Sequence, residues 1–287
     1  MSFEDNLRFY EEIKDDLKFY GVSSVRMEIL LSLRDGPKKT KQLRELTEFQ
    51  SSTIIHSIYE LEKQNVVLKK GDNYYLSEIG QILALKLVQI TKTLDVVTKF
   101  RNLWLNHEIS DIPTDLLMNI GNLSDSKLIE ANNADITKAH TIFTDIVLKS
   151  QNIRGVSTVF HPDFTNIFEE VLKNEEVEVE LILSDAVLKE TIKSINPKNL
   201  RNFLKLNSNG NLHIWALKEE VKVAFTVTEK YLSLGFYTKD GVYDAYRDLI
   251  SESTDAIKWA NDLFEYYRKK SDKIELKRLD KLISHLI

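Results

Sequence analysis

The chain of 287 residues contains no cysteine. Disulfides, thiolate zinc sites, cysteine-ligated iron–sulfur clusters and thiol catalysis are therefore excluded. Glycine and proline are scarce, with 9 and 4 residues, so helices should dominate the secondary structure. No apolar run approaches the ~20 residues that cross a bilayer, and the charged, amphipathic N-terminus lacks a signal-peptide pattern. We therefore expect a cytoplasmic protein with no membrane partner.

Charge is unevenly distributed along the chain. The formal net charge is −5, which excludes a generally basic nucleic-acid coat protein. Residues 21–76 nevertheless hold nine Lys and Arg against seven Asp and Glu, a net charge of +2, so the remainder carries −7. A mildly basic segment on an acidic chain is typical of a protein that meets DNA with one face only. The length allows two domains, each with its own core.

The stretch 40–76 has the residue pattern of a winged helix-turn-helix. It predicts a helix over 40–46, a turn over 47–50, a second helix over 51–64 and a hairpin over 66–76. Such a unit places its second helix in the DNA major groove and its hairpin, the wing, beside the phosphates.

The side chains of this stretch predict a DNA-binding face. Ile54, Ile58 and Leu61 form an inward stripe on the second helix, at helical spacing. The predicted phosphate ligands are Lys38, Lys39, Lys41, Arg44, Lys69 and Lys70, the predicted base readers are Gln50, Ser52, His56 and Tyr59, and Ser51 and Lys63 complete the set. The alternative is an ordinary core stripe with solvated lysines and a plain surface histidine at position 56.

Three further helices are predicted, two before the stretch 40–76 and one after it. An amphipathic helix over 3–20 packs either on a partner subunit or on its own domain, and a core helix covers 23–33.

After the wing, Ser77 should cap a long helix over 77–106. Its apolar positions have the spacing of a coiled-coil seam: Leu83, Leu87, Ile90, Leu94, Val97 and Trp104. We expect a homodimer with two recognition helices about one DNA turn apart. The alternative is a helix buried in its own domain.

The second half of the chain alternates helices and strands. Helices are predicted over 136–150, 164–173, 185–195, 197–206 and 242–267, and strands over 153–160, 177–183, 212–217, 221–227 and 231–237. The predicted fold class is α+β and multidomain, with an N-terminal winged helix-turn-helix, a connecting helix and a C-terminal α/β domain with a mixed sheet. The predicted boundaries are 1–76, 77–106, a structured linker over 107–135, a regulatory domain over 136–270, and an amphipathic tail over 271–287.

Catalytic motifs and cofactor sites are not evident. There is no P-loop and no glycine-rich dinucleotide turn, so no cofactor is expected. The six histidines lie far apart in sequence, which gives little support for a metal site. Side chains near predicted strand ends are the pocket candidates: His161, Ser184, Asp185, His213 and Trp215. Each also has a structural interpretation, as a loop residue, a helix cap, a strand residue or a core residue.

Three short stretches carry a family resemblance: YLSEIG at 75–80, HEISDIP at 107–113 and IRGV at 153–156. With the order of elements, they make the first 270 or so residues resemble the archaeal winged-helix transcriptional regulators of methanogenesis and filament formation. The resemblance implies a winged helix followed by a regulatory middle domain.

The middle domain of such regulators resembles the phospholipase D fold. Catalytic members carry a histidine, a lysine two residues on, an aspartate five after that and a glycine seven further. Here Gly235 fits that register, but the other positions are Val221, Val223 and Thr228. Three uncharged side chains cannot supply a nucleophile, a cation and a carboxylate. The resemblance therefore implies a scaffold kept as a binding pocket, as in related sugar-sensing archaeal regulators.

Together these observations predict a homodimeric transcriptional regulator that binds double-stranded DNA. Its second domain would be non-catalytic and would respond to a small-molecule effector. Two alternatives remain open: a phosphodiesterase-like hydrolase whose winged helix binds another protein, and a constitutive DNA-binding protein without an effector.

Overall fold

The computed structural model describes residues 3–194 and 211–274. The chain divides into two compact units, Met1–Lys92 and Thr93–Ile287. The helix predicted over 197–206, the last residue of the helix predicted over 185–195 and the tail from residue 275 lie outside the described residues. Within the described part of the chain, no helix combines the length and apolar character that a membrane crossing requires.

The first unit contains the predicted winged helix-turn-helix. Its elements are α1 (Phe3–Gly21), α2 (Ser24–Leu33), α3 (Thr40–Thr47), α4 (Ser51–Lys63), β1 (Val67–Lys70), β2 (Asn73–Leu76) and the start of α5 (Glu78–Lys99). The predicted helices and hairpin are thus confirmed, and no bound differs from the prediction by more than one residue.

Backbone conformation and apolar burial explain this local fold. Glu48 adopts a left-handed conformation, with φ of 60°, at the C-terminus of α3, which ends the helix there. Gly71 at φ of 61° turns the hairpin. Ile54, Ile58 and Leu61 are each at most 1% exposed, so the predicted inward stripe of α4 is confirmed.

Helix α5 begins as predicted and ends earlier than predicted. Ser77 caps it, because its Oγ accepts the backbone N–H of Gly80 at 3.1 Å and donates to the carbonyl of Asn65 at 2.6 Å. The single helix predicted over 77–106 is wrong, because the buried Phe100 leaves helical geometry and separates α5 from α6 (Arg101–Asn106). The boundary between the two units falls within α5, after Lys92.

The described residues of the second unit form an eight-stranded mixed sheet with helices on both faces. After α6 its elements are α7 (Thr114–Leu117), a 3-10 helix (Ile120–Leu123), β3 (Lys127–Glu130), α8 (Lys138–Leu148), β4 (Asn152–Ser157), α9 (Pro162–Val171), β5 (Glu178–Ser184), α10 (Asp185–Ser194), β6 (Leu212–Leu217), β7 (Val223–Thr228), β8 (Leu232–Phe236), β9 (Arg247–Ser251), α11 (Thr254–Lys269) and β10 (Asp272–Lys273). The strand order is β10-β6-β5-β4-β7-β8-β9-β3. Strands β4, β5 and β6 are parallel and the other pairs are antiparallel, so the predicted mixed sheet is confirmed.

Each face of the sheet has its own apolar core. One core includes Trp259 and Phe264 of α11, which pack with Phe225 of β7. The other contains Ile167 of α9 and Leu188 of α10, with helix α8 contributing Val147. The helices therefore bury the sheet on both sides, as expected for an alternation of strands and helices.

Two predictions in this unit are wrong. The segment 242–267 was predicted as one helix, but its first half contains β9 and α11 begins only at Thr254. Strand β9 pairs with both β8 and β3, and this pairing between distant segments overrides local helical preference. The segment 107–135 was predicted as a linker, but it supplies edge strand β3 to the sheet.

Candidate functional site

The outward face of α4 is open in the first unit. Ser52, His56 and Tyr59 are all exposed, and Tyr59 exposes 54% of its surface. Two residues that the sequence prediction missed share this surface: Thr53 and Ile55, the latter 52% exposed. An apolar side chain here can contact a thymine methyl group, and the polar ones can bond base edges. A helical wheel would have placed Ile55 outside the buried stripe.

Basic side chains surround this face on α3 and the hairpin. Lys39, Lys41, Arg44, Lys69 and Lys70 are exposed, whereas Lys38 is half-buried. The backbone of Lys38 pairs with Tyr74 of β2, through N–O distances of 3.0 and 2.9 Å. This pairing places the lysines that precede α3 beside the wing.

Several of the predicted DNA-binding residues have local contacts or lie at the start of α4. Lys63 Nζ lies 4.4 Å from the Tyr59 ring centroid and 3.4 Å from Glu60, and the negative charge of Glu60 raises the pKa of this lysine. Lys39 Nζ lies 3.6 Å from the carboxylate of Asp72. Gln50 is the N-cap residue of α4, makes no capping hydrogen bond with its side chain, and is exposed. Ser51 is half-buried in the first turn.

The second unit encloses a cavity of about 380 Å³. Its walls are mainly apolar side chains from α8, α9 and the parallel strands: Phe143, Phe164, Phe168, Leu172, Leu181 and Ile214. Cavities of this size and lining are typical of small-molecule sites.

Polar groups from β8 and β9 form one end of the cavity. Ser233 donates its hydroxyl hydrogen to Asp248, and burial raises the pKa of Asp248 to about 7. Tyr243 is half-buried beside them, and burial of its phenol raises the pKa of that group. A Cβ at Gly235 would lie 2.2 Å from the Tyr243 hydroxyl oxygen, so the glycine makes room for this tyrosine. The apolar cavity therefore ends at a carboxyl group that can change charge near neutral pH.

Two histidines and an aspartate meet at another part of the lining. The His140 and His161 ring centroids are 4.2 Å apart. Asp163 Oδ2 lies 3.5 Å from His140 Nε2 and 3.8 Å from His161 Nδ1. Burial lowers the pKa of His140, the nearby His161 lowers it further, and Asp163 opposes this shift. This group was not predicted from the sequence, because its members come together only when α8 packs on α9.

Of the five pocket candidates, only His161 borders the cavity. Ser184 caps α10 by accepting the backbone N–H of Val187 at 3.3 Å, and Asp185 is an exposed residue of the same first turn. Trp215 packs edge-on against Phe264 in a core, and His213 packs against Trp215. These four residues have the local contacts that the structural interpretation predicts, and a role for them in ligand binding stays a prediction.

The positions of the catalytic register do not line the cavity, apart from Gly235. Val221 and Val223 are 5% and 1% exposed and belong to the core beneath α11. Thr228 Oγ1 accepts the backbone N–H groups of Lys230 and Tyr231, and so holds the turn between β7 and β8. These three side chains have structural roles here.

Comparison with protein families gives two matches in this chain. The N-terminal domain model of the methanogenesis regulatory protein FilR1 matches residues 14–95, and its middle domain model matches residues 136–270. The chain belongs to the FilR1 family. One relative in this family is the methanogenesis regulatory protein FilR1 of Methanothrix harundinacea (strain 6Ac), with 26% identity over 262 residues. The alignment covers 90% of this chain and 58% of the relative, so the chain spans little more than half of that protein's length.

Solved structures with detectable similarity to this FilR1 family chain are more distant. The archaeal chromatin protein TrmBL2 aligns with 90% of this chain and 98% of its own, at 12% identity and a TM-score of 0.41. NucT from Helicobacter pylori aligns with 52% of this chain and 98% of its own, at 14% identity and a TM-score of 0.38. Nuc from Salmonella typhimurium, a phospholipase D family member, aligns with 52% of this chain and 97% of its own, at 8% identity and a TM-score of 0.38. These similarities are too low to transfer any property to this chain.

Proposed function

We propose that this protein is a homodimeric, DNA-binding transcriptional regulator whose second unit responds to a small molecule. The open face of α4, flanked by the basic side chains of α3 and the hairpin, carries the proposal. In a winged helix-turn-helix this face is the one that enters the major groove. Membership of a family of regulatory proteins supports the same function.

In the proposed complex, α4 reads bases and the surrounding cations hold phosphates. Ser52, His56 and Tyr59 would reach base edges, and Ile55 would contact a thymine methyl group. Lys69 and Lys70 on the hairpin would neutralise backbone phosphates, and these contacts would position the protein without selecting a sequence.

Exposed apolar side chains on α5 support a homodimer. Six of them are 48–61% exposed: Ile79, Ile82, Leu85, Ile90, Leu94 and Val97. Three of these belong to the seam predicted from the sequence, at positions 90, 94 and 97. The other predicted members pack within their own units, since Leu83 and Leu87 contact the first core and Trp104 contacts the second. An exposed apolar surface of this extent is typical of an interface.

The cavity supports a ligand-responsive second unit rather than an enzyme. Its walls are apolar and one end carries Asp248, which suits a largely apolar ligand with one hydrogen-bonding or charged group. Helix α5 contains residues of both units, so a ligand-induced change at α5 would alter the spacing of the paired recognition helices. A thermal-shift screen against a metabolite panel separates this proposal from a constitutive DNA-binding protein.

Replacing Lys69 and Lys70 with alanine should weaken binding to every duplex, whatever its sequence. Each lost phosphate contact means that one counterion fewer is released on binding. The slope of log affinity against log salt concentration, which is negative, should therefore become shallower by about 0.9 per lost contact. Fluorescence anisotropy on a labelled duplex at several salt concentrations measures both effects.

A control variant carries alanine at Lys149 and Lys173, two exposed lysines of the second unit. This variant loses the same two positive charges, and the slope of its log affinity against log salt concentration should equal that of the wild type. An unchanged slope in the Lys69 and Lys70 variant would show that the hairpin does not contact DNA.

Replacing Leu94 with glutamate should dissociate the proposed dimer. Each copy would bring a charge into an apolar interface, and we expect the dimer dissociation constant to rise by about 100-fold or more. Sedimentation equilibrium over a concentration series measures this change. Met118→Glu alters a similarly exposed apolar residue outside α5 and should leave the dimer intact. Equal association of both variants would exclude α5 as the interface.

A further inference from the structure

The geometry of three side chains in the second unit resembles a set of metal ligands. In the described ranges 3–194 and 211–274, His140, His161 and Asp163 form a group whose potential ligand atoms all lie within 4.8 Å of one another. His140 lies on α8, His161 directly precedes α9 and Asp163 lies in its first turn. All three border the cavity.

The two distances from Asp163 to the histidines are close to those around a small tetrahedral ion. Nitrogen and oxygen ligands lie about 2.0–2.2 Å from Zn²⁺, so two ligands at a tetrahedral angle are about 3.3 Å apart. Asp163 Oδ2 is 3.5 Å from His140 Nε2 and 3.8 Å from His161 Nδ1. Movements of a few tenths of an ångström would therefore bring these pairs to the ligand spacing.

We propose that His140, His161 and Asp163 bind a divalent transition metal ion, with Zn²⁺ as the preferred ion. Imidazole nitrogen is a borderline ligand that suits Zn²⁺, Co²⁺ and Ni²⁺, whereas Ca²⁺ and Mg²⁺ take oxygen ligands, so the two histidines favour a transition metal ion. The lone pair of His161 Nδ1 coordinates the ion. Without the ion, this lone pair accepts the backbone N–H of Asp163 at 3.2 Å.

Within the described part of the chain this group supplies three ligands, which leave one position of a tetrahedral ion unfilled. That arrangement is found in zinc sites that bind a further small ligand, whereas purely structural sites are closed by four protein ligands. Because the three residues also line the cavity, the unfilled position would be available to a molecule inside it. A metal-coordinating group, such as a carboxylate, is then the chemical feature that we expect in such a molecule.

The side chains also have neighbours that would hold them in place. The His140 ring stacks on Phe143 at 6.5 Å and on Phe164 at 6.2 Å between centroids. The side chains of His140, His161 and Asp163 are 28%, 44% and 59% exposed, so an ion can reach them from solvent. The group is therefore both oriented and accessible.

The test uses the full chain, freed of any affinity tag and treated with a chelator. Titration with Zn²⁺ by calorimetry should give one site per chain. Titration with Co²⁺ should produce the strong visible absorption of a tetrahedral complex. The variants His140→Gln and Asp163→Asn keep side-chain size and polarity, and each should weaken Zn²⁺ binding by about 100-fold or more, since losing even an outer partner of a ligand costs 10–100-fold.

His213→Gln is the matched control, because this histidine packs on Trp215 and lies outside the group. It should bind Zn²⁺ with wild-type affinity. Circular dichroism without metal checks that all variants are folded. Absence of one-site binding, or wild-type affinity in both His140→Gln and Asp163→Asn, would overturn the proposal. No DNA is present in these measurements, so their outcome is separate from that of the regulatory function.

Discussion

Asp248→Asn is expected to stabilise the second unit at pH 8 by up to about 4 kcal/mol. The folded state raises the pKa of this carboxyl from 3.8 to about 7, and that difference corresponds to about 4 kcal/mol. At pH 8 the wild-type carboxyl group is ionised while it is buried, and its desolvation destabilises the folded state. Asparagine has the same shape without the charge, and Ser233 can still hydrogen-bond to it.

The direction of the pH dependence follows from proton binding. Between pH 3.8 and about 7, the folded chain retains a proton at Asp248 that the unfolded chain releases. The contribution of this group to stability is therefore complete at low pH and is lost as the pH rises towards about 7. Asp248→Asn has no such carboxyl group and should not lose stability in this way. The difference in free energy of unfolding between the variant and the wild type should therefore grow between pH 5 and pH 8.

Urea unfolding followed by tryptophan fluorescence measures the effect in the correct unit. All three tryptophans of the chain, Trp104, Trp215 and Trp259, lie in the second unit. Asp125→Asn removes the same charge from an exposed site of that unit and serves as the control. A difference between Asp248→Asn and wild type that stays constant from pH 5 to pH 8 would refute the assigned role.

Gly80→Ala should disrupt the junction between the hairpin and α5. A Cβ at this position would lie 2.2 Å from the backbone carbonyl oxygen of Val66 and 3.2 Å from the side chain of Leu76. The obstacle is backbone, which cannot rotate away, so we expect a loss of about 3 kcal/mol or more. The nearby capping bonds of Ser77 would be strained by the same displacement.

Hydrogen exchange measured on peptides from α4 and the hairpin should detect this loss as faster exchange. Gly21→Ala is the control, because nothing lies within 4 Å of a Cβ built at the end of α1. The control should exchange at the wild-type rate in these peptides. Unchanged exchange in Gly80→Ala would mean that α5 can move away from Val66 at little cost.

The first unit was predictable because its signals are local. Ile54, Ile58 and Leu61 repeat at helical spacing, and the turn residues around Gly71 separate two short strands. Ser77 and Gly80 fall in the stretch that carried the family resemblance, and the structure gives both of them physical roles.

The second unit was predicted less well because its decisive contacts are distant in sequence. Strand β9 follows a turn and precedes a helix, and only its pairing with β8 and β3 makes it extended. Its buried Asp248 breaks the apolar pattern that identifies strands. The cavity depends on packing of α8 on α9, which brings His140 next to His161. No local sequence pattern indicates that these two residues are in contact.

The position of β3 also constrains how the sheet can assemble. Lys127 of this edge strand pairs with Ile250 of β9, so β3 is synthesised long before its partner. Closing a loop of this length carries an entropic penalty that local contacts do not share. Until β9 emerges from the ribosome, the hydrogen-bonding edge of β3 is unpaired and open to association with other nascent chains.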